Sequence, residues 1–427
     1  MRNILVIAYQ LHWQKGSEYA VAWDYVTHMS MDNRLTVLYG TCCGHHTIGN
    51  TEEMENYAKQ NPLKNVTFIP VKPSFKSKNY SFSLLGQYMF YREYKKWHQD
   101  VLRTSTQLIQ GQHFDIIHYL GPIGYREPGF LFHLPIPYIW GPMCGQTGAP
   151  ISLFKATGSL MGGVKLYAKK LLDYIQRISS IRVRRAVRCS DVVVCATTEW
   201  AAVVRKIAGR NHHSKILYRP ENCISVCNPL NTKKFENKQI NLIFIGWLDS
   251  RKALMLVLDA LRKIPKDAPF RLNVLGTGSL KEKYVKYTRH HGIDHFVNWE
   301  GQLPRQEVYK KLNESHLMVM PSLIDANTTV VWEAMAMGVP TMALDHCGFH
   351  DTIVHGKTGI LIKPDGYTQT VNTIARELNE LIIHPEKLKL LADGVVEDRV
   401  KHTWDERKKF FEETYRIAEE QFEKRNA

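Results

Sequence analysis

Two carboxylates, Asp325 and Glu333, are the residues whose type and spacing most strongly suggest chemistry. The hydropathy pattern places Asp325 in the loop after an apolar strand and Glu333 in the helix that follows. Carboxylates placed in this way can face one site and accept hydrogen bonds from sugar and ribose hydroxyls. The start of the same helix, near residues 327–330, offers backbone N–H groups and a positive dipole end to a diphosphate. Taken alone, two acids at this spacing are more typical of solvated surface charge.

The surrounding residues give these two acids a specific context. Glu333–Pro340 reads EAMAMGVP and follows Asp325 after seven residues, with Pro321 and Ser322 upstream and HGKTGILI at 355–362 downstream. The block resembles the signature of family 4 retaining glycosyltransferases. The resemblance implies a GT-B fold, in which two Rossmann-like α/β domains face each other across a cleft. It also implies transfer of a sugar from a nucleotide-diphosphate donor with retention at the anomeric carbon.

The resemblance assigns catalytic roles to residues that match the family pattern. Asp325, one methylene shorter than the family's usual glutamate, would hold donor-sugar hydroxyls, Glu333 the ribose hydroxyls, and Lys252 the leaving diphosphate. His118 falls in the family's Asp-x-x-His position and is either a sugar contact or a packed histidine at a strand end. Many relatives carry a functional histidine two residues later, where this chain has Leu120. The predicted catalytic set is therefore Asp325, Glu333, Lys252 and His118.

The donor-binding positions follow from the same resemblance. Trp247 stands where the family has an arginine that grips the diphosphate, and Arg251 is the candidate for the missing charge. Gly16 and Ser17 fit the glycine-containing loop after the first strand, although Gly16 can also be a simple turn glycine. The predicted donor-binding set is Gly16, Ser17, Gly246, Trp247, Arg251, Gly276, Gly278, Asn327, Thr328 and Thr329.

Two charged residues are candidates on the acceptor side. Arg126 and Glu127 lie in a loop that the fold would turn toward the cleft. They are either an internal ion pair or contacts to the acceptor. The acceptor that the resemblance implies is a glycan or a lipid-diphosphate-linked saccharide in bacterial surface polysaccharide or lipopolysaccharide synthesis.

Strand and helix signals alternate through both halves, which predicts an α/β fold with parallel sheets. We expect an N-terminal domain over 1–215, a donor-side domain over 216–400, and a C-terminal helix over 401–427 that packs back toward the first domain. The predicted strands are Ile4–Ala8, Arg34–Tyr39, Val66–Pro70, Phe114–Tyr119, Pro137–Trp140, Asp191–Ala196, Ile240–Gly246, Arg271–Gly276, His316–Pro321 and Thr341–Leu344.

Composition excludes several classes of protein. The 427 residues are 44% hydrophobic and 23% charged, which rules out global disorder. No run of about 20 apolar residues predicts a membrane-spanning helix, and the opening segment is expected to be a strand rather than a signal peptide. Eight scattered cysteines form neither a zinc pattern nor a disulfide framework. The chain also lacks a P-loop, a G-x-G-x-x-G turn after the first strand, and a D-x-D pair for a nucleotide-bound metal.

The charge distribution suggests a phosphate-rich partner. Of the net charge of +15, residues 1–210 contribute +12, from 25 Lys and Arg against 13 Asp and Glu. Within 155–188, nine basic residues accompany one aspartate, and an apolar series alternates with them at helical spacing: Val164, Ala168, Leu171, Ile175 and Ile178. This helix either lies on an anionic membrane surface or packs the apolar series against the core. No nucleic-acid-binding motif is present, so nucleic acid is not expected.

The sequence therefore predicts a metal-independent retaining glycosyltransferase that uses a UDP- or GDP-linked sugar and no other cofactor. Its expected location is the cytoplasm, associated peripherally with the inner face of the plasma membrane. Two alternatives remain open, a non-catalytic GT-B subunit of a polysaccharide complex and a sugar-nucleotide epimerase with the same fold.

Overall fold

The computed structural model describes residues 1–16, 18–44, 46–73, 78–81, 83–145, 150–326 and 328–427. Two predicted donor-binding residues, Ser17 and Asn327, lie outside these ranges. No helix within the described ranges combines the length and apolar character needed to cross a bilayer.

The chain divides into two compact units. The first comprises Met1–Gly145, Gln176–Glu221 and Asp405–Ala427, and the second comprises Gln146–Ile175 and Asn222–Trp404. In this division residues 216–221 belong to the first unit, although they were predicted in the second domain. The larger difference from the predicted domains is that residues 146–175 belong to the second unit. The reason lies in their packing: Leu153 and Ala156 are fully buried in the hydrophobic core of the second unit.

The first unit contains a seven-stranded parallel sheet in the order β4-β2-β1-β6-β7-β8-β9. The interior strand β1 is a run of aliphatic residues, NILVIA, in which Ile4–Ile7 are fully buried, as expected for a strand covered on both faces. The strands are β1 (Asn3–Ala8), β2 (Arg34–Tyr39), β4 (Val66–Pro70), β6 (Ile116–Gly121), β7 (Tyr138–Met143), β8 (Val192–Cys195) and β9 (Ile216–Tyr218), with an antiparallel pair β3 (Thr47–Ile48) and β5 (Lys78–Asn79) beside them.

The second unit contains a six-stranded parallel sheet in the order β12-β11-β10-β13-β14-β15. Its two central strands, β10 and β13, end at the loops that carry Lys252 and Asp325. Because the strands are parallel, both loops emerge at the same edge of the sheet. The strands are β10 (Ile240–Ile245), β11 (Phe270–Leu275), β12 (Val297–Gly301), β13 (Leu317–Met320), β14 (Thr341–Leu344) and β15 (Gly359–Ile362).

Helices connect these strands, as parallel pairing requires. The α-helices are α1 (Glu18–Met29), α2 (Glu52–Gln60), α3 (Leu84–Gly111), α4 (Leu160–Ser179), α5 (Ile181–Cys189), α6 (Thr198–Ala208), α7 (Met255–Leu261), α8 (Lys281–His290), α9 (Arg305–Glu314), α10 (Thr329–Ala336), α11 (Cys347–Thr352), α12 (Tyr367–Ile383), α13 (Glu386–Asp398) and α14 (Trp404–Asn426).

The C-terminal helix α14 packs within the first unit, together with the N-terminus of the chain. The Arg2 guanidinium donates to the carboxylates of Glu412 and Glu419, and the hydroxyls of Tyr25 and Tyr415 share a buried hydrogen bond. These contacts explain why residues 405–427 are grouped with the beginning of the chain.

The structure contradicts one of the two alternatives for the basic helix α4, the packing of its apolar series against the core. Val164, Leu171, Ile175 and Ile178 are all exposed, so the apolar series does not pack against the core. The residues of α4 that are buried are Gly163 and Asp173.

Candidate functional site

Three charged residues of the second unit converge at the ends of β10 and β13. Lys252 Nζ lies 2.5 Å from Asp325 Oδ2, and Arg251 Nη1 lies 2.9 Å from Asp325 Oδ1. Each carboxylate oxygen therefore accepts one charge-assisted hydrogen bond, which fixes the side chain in one orientation. The structure thus brings together three of the predicted site residues.

A short turn after β10 positions the two cations. The backbone N–H groups of Arg251 and Lys252 both donate to Asp249 Oδ1, at 2.9 and 3.1 Å. This arrangement directs Lys252 inward, where its side chain is almost fully buried, and leaves Arg251 about one third exposed. Arg251 Nη1 also approaches the Ile324 carbonyl oxygen at 3.4 Å.

Burial and charge act in opposite directions on Asp325. Burial favours the neutral acid, but the positive charges of Lys252 and Arg251 outweigh it and lower the pKa of Asp325. Burial lowers the pKa of Lys252 despite the neighbouring carboxylate. The three residues carry one net positive charge when all are ionised, so the site is suited to an anionic ligand.

The glycines predicted at the site allow two turns to pack against each other. Gly276 has φ +138°, and a Cβ there would lie 1.9 Å from the Gly246 carbonyl oxygen. A Cβ on Gly278 would lie 2.4 Å from the Leu248 carbonyl oxygen. Glycine is therefore required at both positions for the loops after β10 and β11 to pack this closely.

An apolar cavity of about 200 Å³ opens beside these turns. Trp247 forms part of its wall, although the Trp247 side chain as a whole is 61% exposed. The remaining wall combines backbone from the two glycine turns with side chains from α9 and the loop before it. The lining residues are Ile245, Gly246, Trp247, Leu275, Gly276, Thr277, Gln302, Leu303 and Val308.

Glu333 lies in α10 and has two partners from α9. Arg305 Nη2 and the Tyr309 hydroxyl each lie 3.3 Å from Glu333 Oε1. Burial raises the pKa of Glu333, and the Arg305 charge opposes that shift. Neither Arg305 nor Tyr309 was among the predicted site residues, although both lie in the segment RQEVYKKL, one turn apart on the same helix face.

The start of α10 provides further donors on the second unit. Thr328 is the N-cap residue, and its side chain makes no capping hydrogen bond. The backbone N–H groups of Thr329 and Val330, the first two helical residues, have no partner within the helix. The N–H of Val331 donates to the Thr328 carbonyl oxygen at 3.1 Å. A helix start of this kind favours an anion.

His118 is not positioned to contact a substrate. It lies within β6, is fully buried, and has both ring nitrogens hydrogen-bonded. Its Nε2 donates to the Gly141 carbonyl oxygen at 2.8 Å, and Nδ1 lies 3.0 Å from the Tyr25 hydroxyl. Burial lowers the pKa of His118 to about 4, so the ring is neutral near pH 7. The structure therefore corrects the catalytic prediction and favours the alternative of a packed histidine.

Glu127 forms an ion pair, but its partner is not Arg126. The Arg182 guanidinium binds both oxygens of the buried Glu127 carboxylate, at 2.6 and 2.9 Å. Arg126 instead lies over the Tyr91 ring, 5.8 Å from its centre. The bidentate pair makes Glu127 a structural residue in this state of the protein, which sequence spacing could not reveal because Arg182 is 55 positions away.

A small cavity in the first unit contains a pair of carboxyl groups that the sequence did not single out. It lies at the ends of β1 and β6, and Gln10, Glu18 and Glu221 contribute to its wall. Burial raises the pKa of Glu18 to about 7, and burial together with the Glu18 charge raises the pKa of Glu221. Gly16, which precedes Glu18, is exposed, and a Cβ there would contact nothing, so the structure does not require a glycine at that position.

The described residues contain no group of three or more His, Cys, Asp or Glu side chains arranged to hold a metal ion. The predicted independence from metal remains a prediction.

A comparison with protein families matches one segment in the second half of the chain. Residues 230–392 match the family model described as glycosyl transferases group 1. This segment includes every residue of the Lys252, Arg251 and Asp325 cluster, the cavity and Glu333. The chain therefore carries a glycosyltransferase group 1 domain.

One curated relative is the amylovoran biosynthesis glycosyltransferase AmsK of Erwinia amylovora, 24% identical over 151 residues. The match covers 34% of this chain and 37% of that protein, so the chain is aligned with little more than a third of the relative's length.

Two solved structures resemble the chain over nearly its whole length. One is Anabaena HepE in complex with UDP, with a TM-score of 0.57, 13% identity, and coverage of 94% of this chain and 95% of that one. The other is the lipopolysaccharide outer core galactosyltransferase WaaB, with a TM-score of 0.56, 15% identity, and coverage of 93% and 99%. The predicted α/β fold of the GT-B type is confirmed.

Proposed function

We propose that the chain is a retaining glycosyltransferase that moves a sugar from a nucleotide-diphosphate donor to a glycan or lipid-linked acceptor. The observation that carries the proposal is the convergence of Lys252 and Arg251 on Asp325, beside an apolar cavity in a glycosyltransferase group 1 domain. A site for a nucleotide sugar needs three features: positive charge for the diphosphate, a carboxylate that accepts hydrogen bonds from sugar hydroxyls, and an apolar cavity for the base.

Each part of the site suits one part of such a donor. The apolar cavity accommodates the base, with Trp247 at its edge. Glu333 accepts hydrogen bonds from the ribose hydroxyls, and Lys252, Arg251 and the start of α10 stabilise the diphosphate. As the glycosidic bond breaks, negative charge grows on the leaving phosphate, so fixed cations there lower the barrier.

Asp325 has two roles in this scheme. Without a ligand, it neutralises the two cations and holds them in place. With donor bound, the cations turn toward the phosphates, and Asp325 accepts hydrogen bonds from hydroxyls of the sugar. No residue of the cluster is required to act as a covalent nucleophile, which is consistent with attack from the face that the leaving phosphate vacates.

UDP is the nucleoside diphosphate that we favour in the donor, with GDP as the alternative. Anabaena HepE, which shares the fold, is described in complex with UDP. We expect no metal and no other cofactor. The proposed acceptor belongs to bacterial surface polysaccharide or lipopolysaccharide synthesis, as the names of AmsK and WaaB suggest. Such an acceptor would place the protein in the cytoplasm, at the inner face of the plasma membrane.

A ligand panel tests this proposal directly. Thermal unfolding is measured with UDP, GDP, ADP, CMP and their common sugars, with and without EDTA. A ligand at about a hundred times its dissociation constant stabilises the protein by about 2.7 kcal/mol. Selective stabilisation by one nucleotide that EDTA does not alter supports the proposal.

The same panel separates the alternatives. A non-catalytic GT-B subunit would show no shift with any nucleotide. A sugar-nucleotide epimerase would bind the donor and change its sugar without an acceptor, which NMR of the incubated UDP-sugar detects. Retention is tested by the anomeric configuration of the glycoside product.

A further inference from the structure

Helix α4 presents its apolar side to solvent. Among the residues that the structure describes, twenty large apolar side chains are exposed, and eight of them fall between 151 and 175, within the second unit. We refer to these eight as the α4 apolar face. Its members are Ile151, Leu160, Met161, Val164, Leu171, Leu172, Tyr174 and Ile175.

The orientation of the helix is the reverse of that of an ordinary surface helix. At about 100° per residue, the exposed apolar side chains of α4 occupy an arc of about 160°. Of the two buried residues of α4, Asp173 lies opposite the middle of this arc and Gly163 lies just beyond one edge of it. A helix of a globular protein normally turns its apolar arc inward and its polar side outward. In α4, the side that contains Asp173 and Leu166 packs against the protein, so the apolar arc is available to contact something else.

Basic residues border this arc on both sides. Lys165 lies beside one edge of the helical projection and Lys170 beside the other, with Lys169 further round the helix. Arg177 lies over the Trp200 ring, 5.8 Å from its centre. Residues 155–188 contain nine Lys and Arg and one acidic residue, Asp173, which is buried. The surface around the arc therefore combines apolar side chains with positive charge and shows no exposed carboxylate of its own segment.

We propose that the α4 apolar face docks on the surface of an anionic lipid bilayer. Its apolar side chains would enter the boundary between headgroups and acyl chains, and the bordering lysines would contact lipid phosphates. A helix with an apolar arc and a basic border lies in the interface plane by these two contributions. The proposal goes beyond sugar transfer, because lipid binding requires neither donor nor acceptor.

Charge complementarity favours a membrane over other occupants. A second copy of this chain would bring two basic borders together, and their repulsion opposes pairing. Nucleic acid would match the positive charge but not eight apolar side chains. A bilayer with acidic headgroups satisfies both.

Vesicle co-sedimentation of the full chain tests the proposal. The probes are vesicles of phosphatidylcholine alone and vesicles containing 30% phosphatidylglycerol. We expect binding to the anionic vesicles at least tenfold tighter than to the neutral ones, reduced by 0.5 M NaCl because surface charges are then screened. Failure to bind anionic vesicles at low salt would overturn the proposal.

A matched pair of double variants locates the binding surface. Leu171→Glu with Ile175→Glu adds two carboxylates to the α4 apolar face, and at least a tenfold loss of vesicle binding is expected. Ile383→Glu with Leu390→Glu adds the same charge at two exposed apolar residues of α12 and α13, and most of the binding should remain. Equal binding by both variants would contradict the assignment to α4. Circular dichroism and thermal unfolding verify that both are folded.

Two further measurements distinguish insertion from other contacts. The chain has nine tryptophans, so emission is compared with that of the natural chain. Leu171→Trp should add a component that shifts to shorter wavelength with anionic vesicles, and Leu390→Trp should not. Light scattering after size exclusion reports the oligomeric state. If the natural chain is a dimer and the double variant Leu171→Glu with Ile175→Glu is a monomer, a second copy, and not a bilayer, covers the face.

Discussion

Lys252 Nζ and Asp325 Oδ2 form an ion pair of 2.5 Å in which both side chains are almost fully removed from solvent. The residues are 73 positions apart, and they meet because β10 and β13 are adjacent parallel strands. Such a pair contributes little net stability, but removing one partner leaves an uncompensated buried charge. The pair therefore makes the donor site sensitive to single substitutions.

Asp325→Asn should impair both function and folding. The amide keeps the shape of the side chain but no longer neutralises Lys252 and Arg251. We expect the free energy of unfolding to fall by about 3 kcal/mol and sugar transfer to fall by at least about 100-fold. Urea unfolding checks the stability, and initial rates with the donor that the nucleotide panel selects check the activity. Asp345→Asn, at an exposed ion pair with His350, is the control and should change neither. Full activity of Asp325→Asn would exclude the proposed sugar contact.

Arg251→Gln tests whether this residue supplies the charge that Trp247 lacks. The side chain is partly exposed, so stability should change by less than about 0.5 kcal/mol. One charged hydrogen bond to a phosphate contributes about 1.5–3 kcal/mol, so UDP affinity should fall by about tenfold or more. Calorimetry with UDP and with uridine separates the contribution of the diphosphate to the affinity from that of the nucleoside. Uridine has no phosphate, and a comparable loss of uridine affinity would refute a diphosphate role.

Trp247→Ala should weaken the binding of the base and leave the binding of the phosphates unchanged. Base stacking on an aromatic ring contributes about 1–3 kcal/mol, so the affinities for uridine and UDP should fall together, by about tenfold. The exposed position predicts little change in thermal stability. Tyr88→Ala, at an exposed ring of the first unit, is the matched control. Unaltered uridine binding would show that the ring does not contact the base.

His118 predicts a loss of stability in acid. Its folded-state pKa of about 4 lies below the unfolded value of about 6.5, so the unfolded state binds the extra proton between these pH values. Stability is therefore complete above about pH 6.5 and falls as pH decreases toward 4, by about 3 kcal/mol for this group. Urea unfolding from pH 7 to 4 should show a shallower slope for His118→Gln than for the natural chain. If His118 bound sugar, the same variant would lose activity at pH 7 with its stability slope unchanged.

Glu18 predicts the opposite trend. Its folded-state pKa of about 7 lies above the unfolded value near 4.5, so the folded state holds the extra proton between these pH values. The free energy of unfolding therefore falls as pH rises from about 4.5 to 7. Glu18→Gln removes this titration and should be more stable than the natural chain at pH 8 relative to pH 5. The exposed Glu423→Gln serves as control, and identical pH profiles for all three proteins would show that Glu18 titrates normally.

The local sequence was informative wherever the chemistry depends on neighbouring residues. Runs such as NILVIA and INLIFI predicted the strands, and EAMAMGVP identified the helix that carries Glu333. Lys252, Arg251, Gly246 and Gly276 were predicted from the resemblance to the glycosyltransferase family. The positions of Ser17 and Asn327 in the site remain predictions.

Residues whose roles depend on distant partners could not be assigned in this way. For Glu127, one of the two alternatives was an ion pair with its neighbour Arg126, but Glu127 binds Arg182. His118 matched a family position, yet its surroundings come from α1, α14 and β7, which bury it completely. The partners of Glu333 and the Glu18–Glu221 pair were missed for the same reason.

The sequence by itself determined the α/β class, the parallel sheets and the residues that end their strands, because apolar periodicity and turn residues act over a few positions. Only the tertiary structure decided which charges meet and which side of α4 faces water. A helix pattern gives an apolar arc and a basic border, but burial depends on what packs against the helix. Here the contact falls on the side of Leu166 and Asp173, and this packing leaves the apolar arc in solvent.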